Sequence, residues 1–194
     1  MGWLRTLVVL ACCLGVVGCS DDSPGPEPGP SPTGSVSTPS PSSSSSAPEP
    51  APREPALPGA AKQATERGAR AFIAYYWDLI NYAQVTGDVT ALKRVSGSKC
   101  EGCTAGINAI RDHYASGGRI EGGEYAIVIA KINELRNPSG SGLAFEAKIN
   151  ARNAAQTIIA SDGTRKHQSP GRSTLVVATL WDSKGWRLEV MESR

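Results

Sequence analysis

The hydrophobic pattern of this chain changes character along its length. Residues Leu7 to Val17 form an unbroken apolar run, residues 20–59 hold only Val36 and Leu57 as sizeable apolar side chains, and periodic patterning starts near Thr65. From Thr65 to Gln84, Phe72, Ile73, Tyr76, Trp77 and Ile80 recur at helical spacing. That spacing predicts an amphipathic helix with Thr65 as its N-cap and Gly87 as its stop. Asp88 can cap a short second helix carrying Val89, Leu92 and Val95. Thr104 can cap a third, with Ile107, Ile110 and Tyr114 as its stripe and Gly117-Gly118 as its end.

Beyond Gly123 the period falls to two. Tyr125 to Leu135 is apolar on both faces, which predicts a central strand. Leu143, Phe145, Ala147, Ile149 and Ala151 alternate with polar residues, a half-exposed strand that Thr157-Ile158-Ile159 can continue up to a turn at Asp162-Gly163. Thr174 to Trp181 is a further apolar strand, turned at Asp182-Ser183-Lys184-Gly185 into Trp186, Leu188 and Val190. Pro138 and Ser139-Gly140-Ser141-Gly142 mark the remaining loop, and the Gly117-Gly118 and Gly122-Gly123 pairs read as turns. Helices first and an antiparallel meander after them define an α+β domain with the helices on one face of the sheet.

The first apolar run is 11 residues long, against about 20 for a spanning helix, so it is expected to be a signal-peptide core. It follows Arg5 and ends Leu14-Gly15-Val16-Val17-Gly18-Cys19 before Ser20-Asp21-Asp22. This resembles the lipobox of bacterial lipoproteins, and the resemblance implies that the Cys19 thiol takes a diacylglyceryl group and becomes the mature N-terminus. Two acyl chains hold stably where one holds weakly. Cys12 and Cys13 would leave with the signal. The expected organisation is a signal over residues 1–18, a lipidated cysteine and disordered tether over 19–59, and an α+β domain over 60–194.

The tether holds 12 of the chain's 14 prolines and the run Ser42 to Ser46. Such a segment cannot bury enough surface to offset its conformational entropy. Extended, its roughly 40 residues reach on the order of 100 Å. Charge divides along the chain: residues 20–59 carry five acids against Arg53, net −4, and residues 60–194 carry 18 Lys/Arg against 13 Asp/Glu, net +5. A modest, unclustered basic excess does not point to nucleic acid. It suits anionic headgroups or wall polymers, beside the plainer reading of a solvated surface.

After lipidation Cys100 and Cys103 are the remaining thiols. In an oxidising compartment they are expected to pair, stapling the turn between the second and third helices. A thiol oxidoreductase sets its CxxC after a strand; here helices are expected on both sides. A zinc site needs further ligands, and His113 and His167 are the only histidines. No metal or cofactor is expected.

Further resemblance is carried by residues 71–83, Ala71-Phe72-Ile73-Ala74-Tyr75-Tyr76-Trp77-Asp78-Leu79-Ile80-Asn81-Tyr82-Ala83. Thr86-Gly87-Asp88, Cys100-Glu101-Gly102-Cys103 and Gly122-Gly123 add to it. The chain is similar to a family of uncharacterised actinobacterial lipoproteins, which has no assigned activity to carry over. The element order resembles the nuclear-transport-factor-2-like (cystatin-like) fold, a curved antiparallel sheet around a long first helix, and that likeness implies a cone-shaped cavity. Tyr75, Tyr76, Trp77, Asp78, Asn81 and Tyr82 are then candidates to meet a ligand or partner, since Tyr and Trp pair an apolar body with a hydrogen-bonding tip; core packing by the same residues is the plainer reading. Asp112 and His113, adjacent on a helix, point about 100° apart and form no acid–base dyad with each other.

The expected function is a non-catalytic envelope lipoprotein, anchored to the membrane, whose domain binds a partner protein or a small apolar ligand. Two rivals remain open. An enzyme of isomerase or cyclase type predicts a buried Asp78 facing an empty polar pocket. A scaffold subunit predicts a cone filled by Phe72, Tyr76, Trp186 and Val176, with an exposed apolar patch on the sheet.

Overall fold

A computed structural model describes residues 51–135 and 142–194. Cys19, the tether up to residue 50, and Pro138 with Ser139-Gly140-Ser141 lie outside the described residues. The described chain belongs to one unit, Ala47–Arg194. Before the first helix, Glu54 already reaches across the chain, accepting from Arg94 at 2.9 Å.

After a 3-10 turn at Gly59–Lys62, α1 spans Glu66–Thr86. Thr65 caps it as expected, its hydroxyl accepting from the Gly68 N–H at 3.0 Å. Gly87 ends it in the left-handed region at φ 76°, and a Cβ there would also strike the Tyr114 ring. Burial covers most of the helix circumference: Phe72, Ile73, Tyr75, Tyr76, Trp77, Leu79 and Ala83 are all inside, with Ala74, Asp78 and Val85 left to solvent. α2 spans Thr90–Val95, and the Asp88 carboxylate accepts from the Thr90 N–H at 2.9 Å. That bond holds the carboxyl of Asp88 below the usual range.

α3 spans Glu101–Ala115 and corrects the expectation at Thr104. The helix starts four residues earlier, with Cys100 as N-cap: its sulfur accepts from the Cys103 N–H at 3.2 Å, the part a Ser or Thr oxygen ordinarily plays. Gly102 makes that start possible, because a Cβ there would sit 2.2 Å from the Met191 carbonyl oxygen. No helix among the described residues is long and apolar enough to cross a membrane.

Seven strands follow among the described residues: β1 (Arg119–Gly122), β2 (Tyr125–Leu135), β3 (Leu143–Asn153), β4 (Gln156–Ile159), β5 (Arg165–Gln168), β6 (Gly171–Asp182) and β7 (Gly185–Ser193). They form two antiparallel sheets, in the orders β1-β4-β5 and β2-β3-β6-β7, where a single meander was expected. Three two-residue breaks carry the chain between them, at Gly123-Glu124, Ala154-Ala155 and Ser169-Pro170. Gly122 and Gly123 turn at φ 72° and 83°, values that L side chains avoid. The Gly123 N–H donates to Ala155 and the Ala154 N–H to Glu124, locking two breaks to each other. So Thr157-Ile158-Ile159 does follow β3, but in the other sheet.

Three further differences have physical causes. β1 lies where only turns were expected, because four residues between glycine pairs give no readable period. β5 is exposed at all four positions and carries no alternation. β2 is an edge strand, not a central one. One of its faces meets α1, while Ala126, Val128 and Ala130 face water, Val128 at 65% exposure. Small and β-branched residues register as apolar in a pattern yet tolerate solvent singly.

The core centres on Trp186. Its ring lies 6.4 Å from Phe72, 6.0 Å from Phe145 and 5.3 Å from its cross-strand partner Trp181. Its indole N–H donates to the Gln63 carbonyl at 3.1 Å. From β6 it is Val177, fully buried, that joins this core; Val176 points to the outer face.

Candidate functional site

The rings around Trp186 pack on one another, and the other flank of α1 borders a cavity of about 510 Å³, within the range of small-molecule sites. α1 supplies Tyr76, Trp77, Ile80 and Gln84 to its wall. α3 supplies Gly102, Cys103, Gly106, Ile107, Ile110 and His113. The three-stranded sheet contributes Ile120 and Ile158, and Leu175 and Met191 close the side formed by the other sheet. Gln156, Gln168 and Ser173 add polar groups to the wall. Gln156 and Gln168 are cross-strand partners.

Small residues of α3 border the cavity. Gly102, Gly106 and Ala109 follow one another at helical spacing along the lining face, and nothing lies within 4 Å of a Cβ built at Gly106. A larger side chain at Gly106 would take up part of that space, whereas one at Gly102 would strike the Met191 carbonyl.

Of the aromatic-helix candidates, the structure brings two to this cavity. Tyr76 presents its ring, while its hydroxyl is 2.8 Å from Ser96, whose own hydroxyl donates to the Leu92 carbonyl; burial pushes the Tyr76 phenol up. Trp77 packs edge-on to Tyr76 with centroids 6.1 Å apart. Tyr75 turns to a second cavity, of about 760 Å³, bordered by Leu57, Arg94 and Trp181. Asp78 is exposed and borders neither. Partial burial raises its carboxyl pKa, but it does not face a pocket as the enzyme reading requires. Tyr82 is half-buried and its carbonyl accepts from Thr86.

Asn81 has an architectural part. Its amide donates to the Tyr125 carbonyl at 2.9 Å and accepts from the Tyr125 N–H at 2.8 Å, clamping α1 to the first residue of β2. Asn81→Ala orphans both backbone groups, at about 1–3 kcal/mol each, and is expected to lower the urea midpoint strongly. Asn81→Asp keeps the acceptor and should lose about half as much. Unchanged stability with lost ligand binding would instead make Asn81 a recognition residue.

The α3 and strand residues of the cavity wall were not singled out from sequence. Ile107 and Ile110 carried a helical signal, but Ile120 and Gln156 lie in short segments whose pattern names no face. His113 also reaches the wall; its Nε2 donates to the Arg119 carbonyl at 3.1 Å.

Cys100 and Cys103 form a disulfide with sulfurs 1.98 Å apart, both residues buried. It is the first turn of α3 rather than a connector before it. Thiol exchange needs an accessible sulfur, so this burial fits a staple. Cys103→Ser should melt lower by about 2 kcal/mol, the loop-closure contribution. Cys100→Ser should lose less, because serine is a strong N-cap. Measurable insulin-reductase activity of the oxidised protein would overturn the staple.

The fold and site define an α+β domain in which helices and two antiparallel sheets enclose a largely apolar cavity. The chain belongs to a family of unknown function, DUF6318, whose pattern its residues 38–192 match. No functionally curated protein matches it. Among solved structures it is similar to the intermembrane space region of the chloroplast protein ARC6, at 11% identity and TM-score 0.44, covering 68% of this chain and 97% of that one. A periplasmic fragment of TraM matches at 10% identity and TM-score 0.44, covering 68% and 98%. An NTF2-like superfamily protein from Salmonella enterica serovar Typhimurium matches at 12% identity and TM-score 0.41, covering 67% and 92%. These are distant likenesses, and no function passes from them to this chain.

Proposed function

We propose that this protein is an extracytoplasmic, diacylglyceryl-anchored lipoprotein whose domain holds a small apolar ligand between α1 and α3. The observation that carries the binding reading is the 510 Å³ cavity, walled by Tyr76, Trp77, Ile107, Ile110 and Leu175. No carboxylate is among its lining residues, so its chemistry suits holding an uncharged apolar body. The compartment rests on the apolar leader ending at Cys19 and on the Cys100–Cys103 disulfide, which belongs to oxidising surroundings. A nuclear-transport-factor-2-like fold is supported by the long α1 and by antiparallel strands that pass between two sheets at three breaks.

Native mass spectrometry of the full chain purified from its own host tests the binding reading. A co-purifying lipid or metabolite, lost on gentle denaturation, supports it. A stoichiometric co-purifying protein with an empty cavity favours the scaffold reading instead. For the anchor, metabolic labelling with a fatty-acid analogue should mark the parent and not Cys19→Ala; an unlabelled parent, or equal labelling of both, would overturn diacylation at Cys19.

A further inference from the structure

On the face of the four-stranded sheet away from α1, β3 and β6 set two arginines directly opposite each other, Arg152 against Arg172. Like charges in that relation destabilise a sheet. Arg194 joins them, held at the end of β7 by its N–H bond to the Thr174 carbonyl, and all three border one shallow concavity of about 630 Å³. Among the described residues Arg70, Arg94, Arg111, Arg119, Arg165 and Arg187 lie within ion-pair distance of a carboxylate. Arg152, Arg172 and Arg194 are in none of those pairs. One register step along the same face, the Thr174 hydroxyl donates to Asn150 Oδ1 at 3.3 Å, which leaves the Asn150 amide N–H groups as donors beside the guanidinium groups. The most exposed large apolar side chain among the described residues, Val128, also borders this concavity.

We propose that this corner of the sheet is a phosphate-binding site. Guanidinium forks match phosphate oxygens two at a time. A phosphate dianion, or a row of phosphodiesters, relieves the repulsion between Arg152 and Arg172, whereas a single carboxylate leaves most of it. The chemistry is shared by soluble phosphate esters and by phospholipid headgroups. Of its lining residues only Ser173 also borders the α1–α3 cavity, and none of the three arginines does.

The test follows backbone amide shifts of the full chain in neutral detergent micelles during titration with inorganic pyrophosphate. A second arm follows them in nanodiscs of phosphatidylcholine with and without phosphatidylglycerol. Shifts are expected at residues 150–152 and 172–174. In Arg152→Gln/Arg172→Gln the apparent affinity should fall on the order of 25-fold, about fivefold per surface cation. The control Arg53→Gln/Arg67→Gln removes the same charge elsewhere and should change little. A response to pyrophosphate alone assigns the site to soluble phosphates, and a response to phosphatidylglycerol alone assigns it to headgroups; either supports phosphate recognition. No response in either arm, or equal weakening by the two double variants, overturns the proposal.

Discussion

Gly106→Leu is expected to raise the melting temperature and at the same time to cost the protein its cavity ligand. The two effects come from one position. Gly106 lies in the interior of α3, where glycine costs about 0.8–1 kcal/mol against good helix formers. The space beyond its Cα is open, so a leucine meets no backbone, and the melting point should rise by about 2–4 °C. Gly106 is exposed and borders the cavity together with Trp77, Ile107 and Ile110, so a leucine there takes up space at its mouth. Overpacking an occupied site costs about 1–3 kcal/mol, a loss of roughly 5- to 150-fold in affinity. Uptake of the neutral apolar dye N-phenylnaphthylamine, with the co-purifying mass as second readout, measures it. Gly106→Ala is the control: it should gain the stability and keep the binding. If Gly106→Leu takes up dye as the parent does, the cavity between α1 and α3 is not where the ligand sits.

Trp186→Ala should be the most damaging core substitution. The residue is 5% exposed and touches three aromatic rings, Phe72, Phe145 and Trp181. Removing such a side chain costs about 3–5 kcal/mol, a large part of the 5–15 kcal/mol that holds a typical domain. It also frees the Gln63 carbonyl, and with it the turn before α1. Trp186→Phe keeps most of the ring contact and loses only that bond, about 1 kcal/mol. Urea unfolding should rank the parent, Trp186→Phe and Trp186→Ala in that order. Equal stability of the two variants would mean that the hydrogen bond, not the packing, anchors the hairpin of β6 and β7.

These two positions differ in how legible they were. Trp186 stood in an alternating strand after a turn, and its burial follows from the pattern alone. Gly106 carried no signal, because a helix glycine looks the same whether it faces water or an empty space. The helix candidates divide the same way. Periodicity at Phe72, Tyr76 and Trp77 correctly marks the buried side of α1, but a single helix buried around most of its circumference does not say which residue meets which neighbour. Tyr75 went to one cavity, Tyr76 to another, and Asn81 to the backbone of Tyr125.

What the sequence determined by itself is local. Thr65 and Gly87 bound α1, the period-two runs make β3, β6 and β7, and the spacing of Cys100 and Cys103 allows a one-turn staple, because caps, alternation and short loops depend on near neighbours. Only the tertiary structure decided that the strands divide between two sheets. It also decided that β2 lies at an edge, and that Gly102, Gly106 and Ala109 of α3 border a cavity. Those outcomes depend on contacts between residues far apart in the chain, such as Gly102 against the Met191 carbonyl and Gly123 against Ala155. Such contacts leave no period in the sequence.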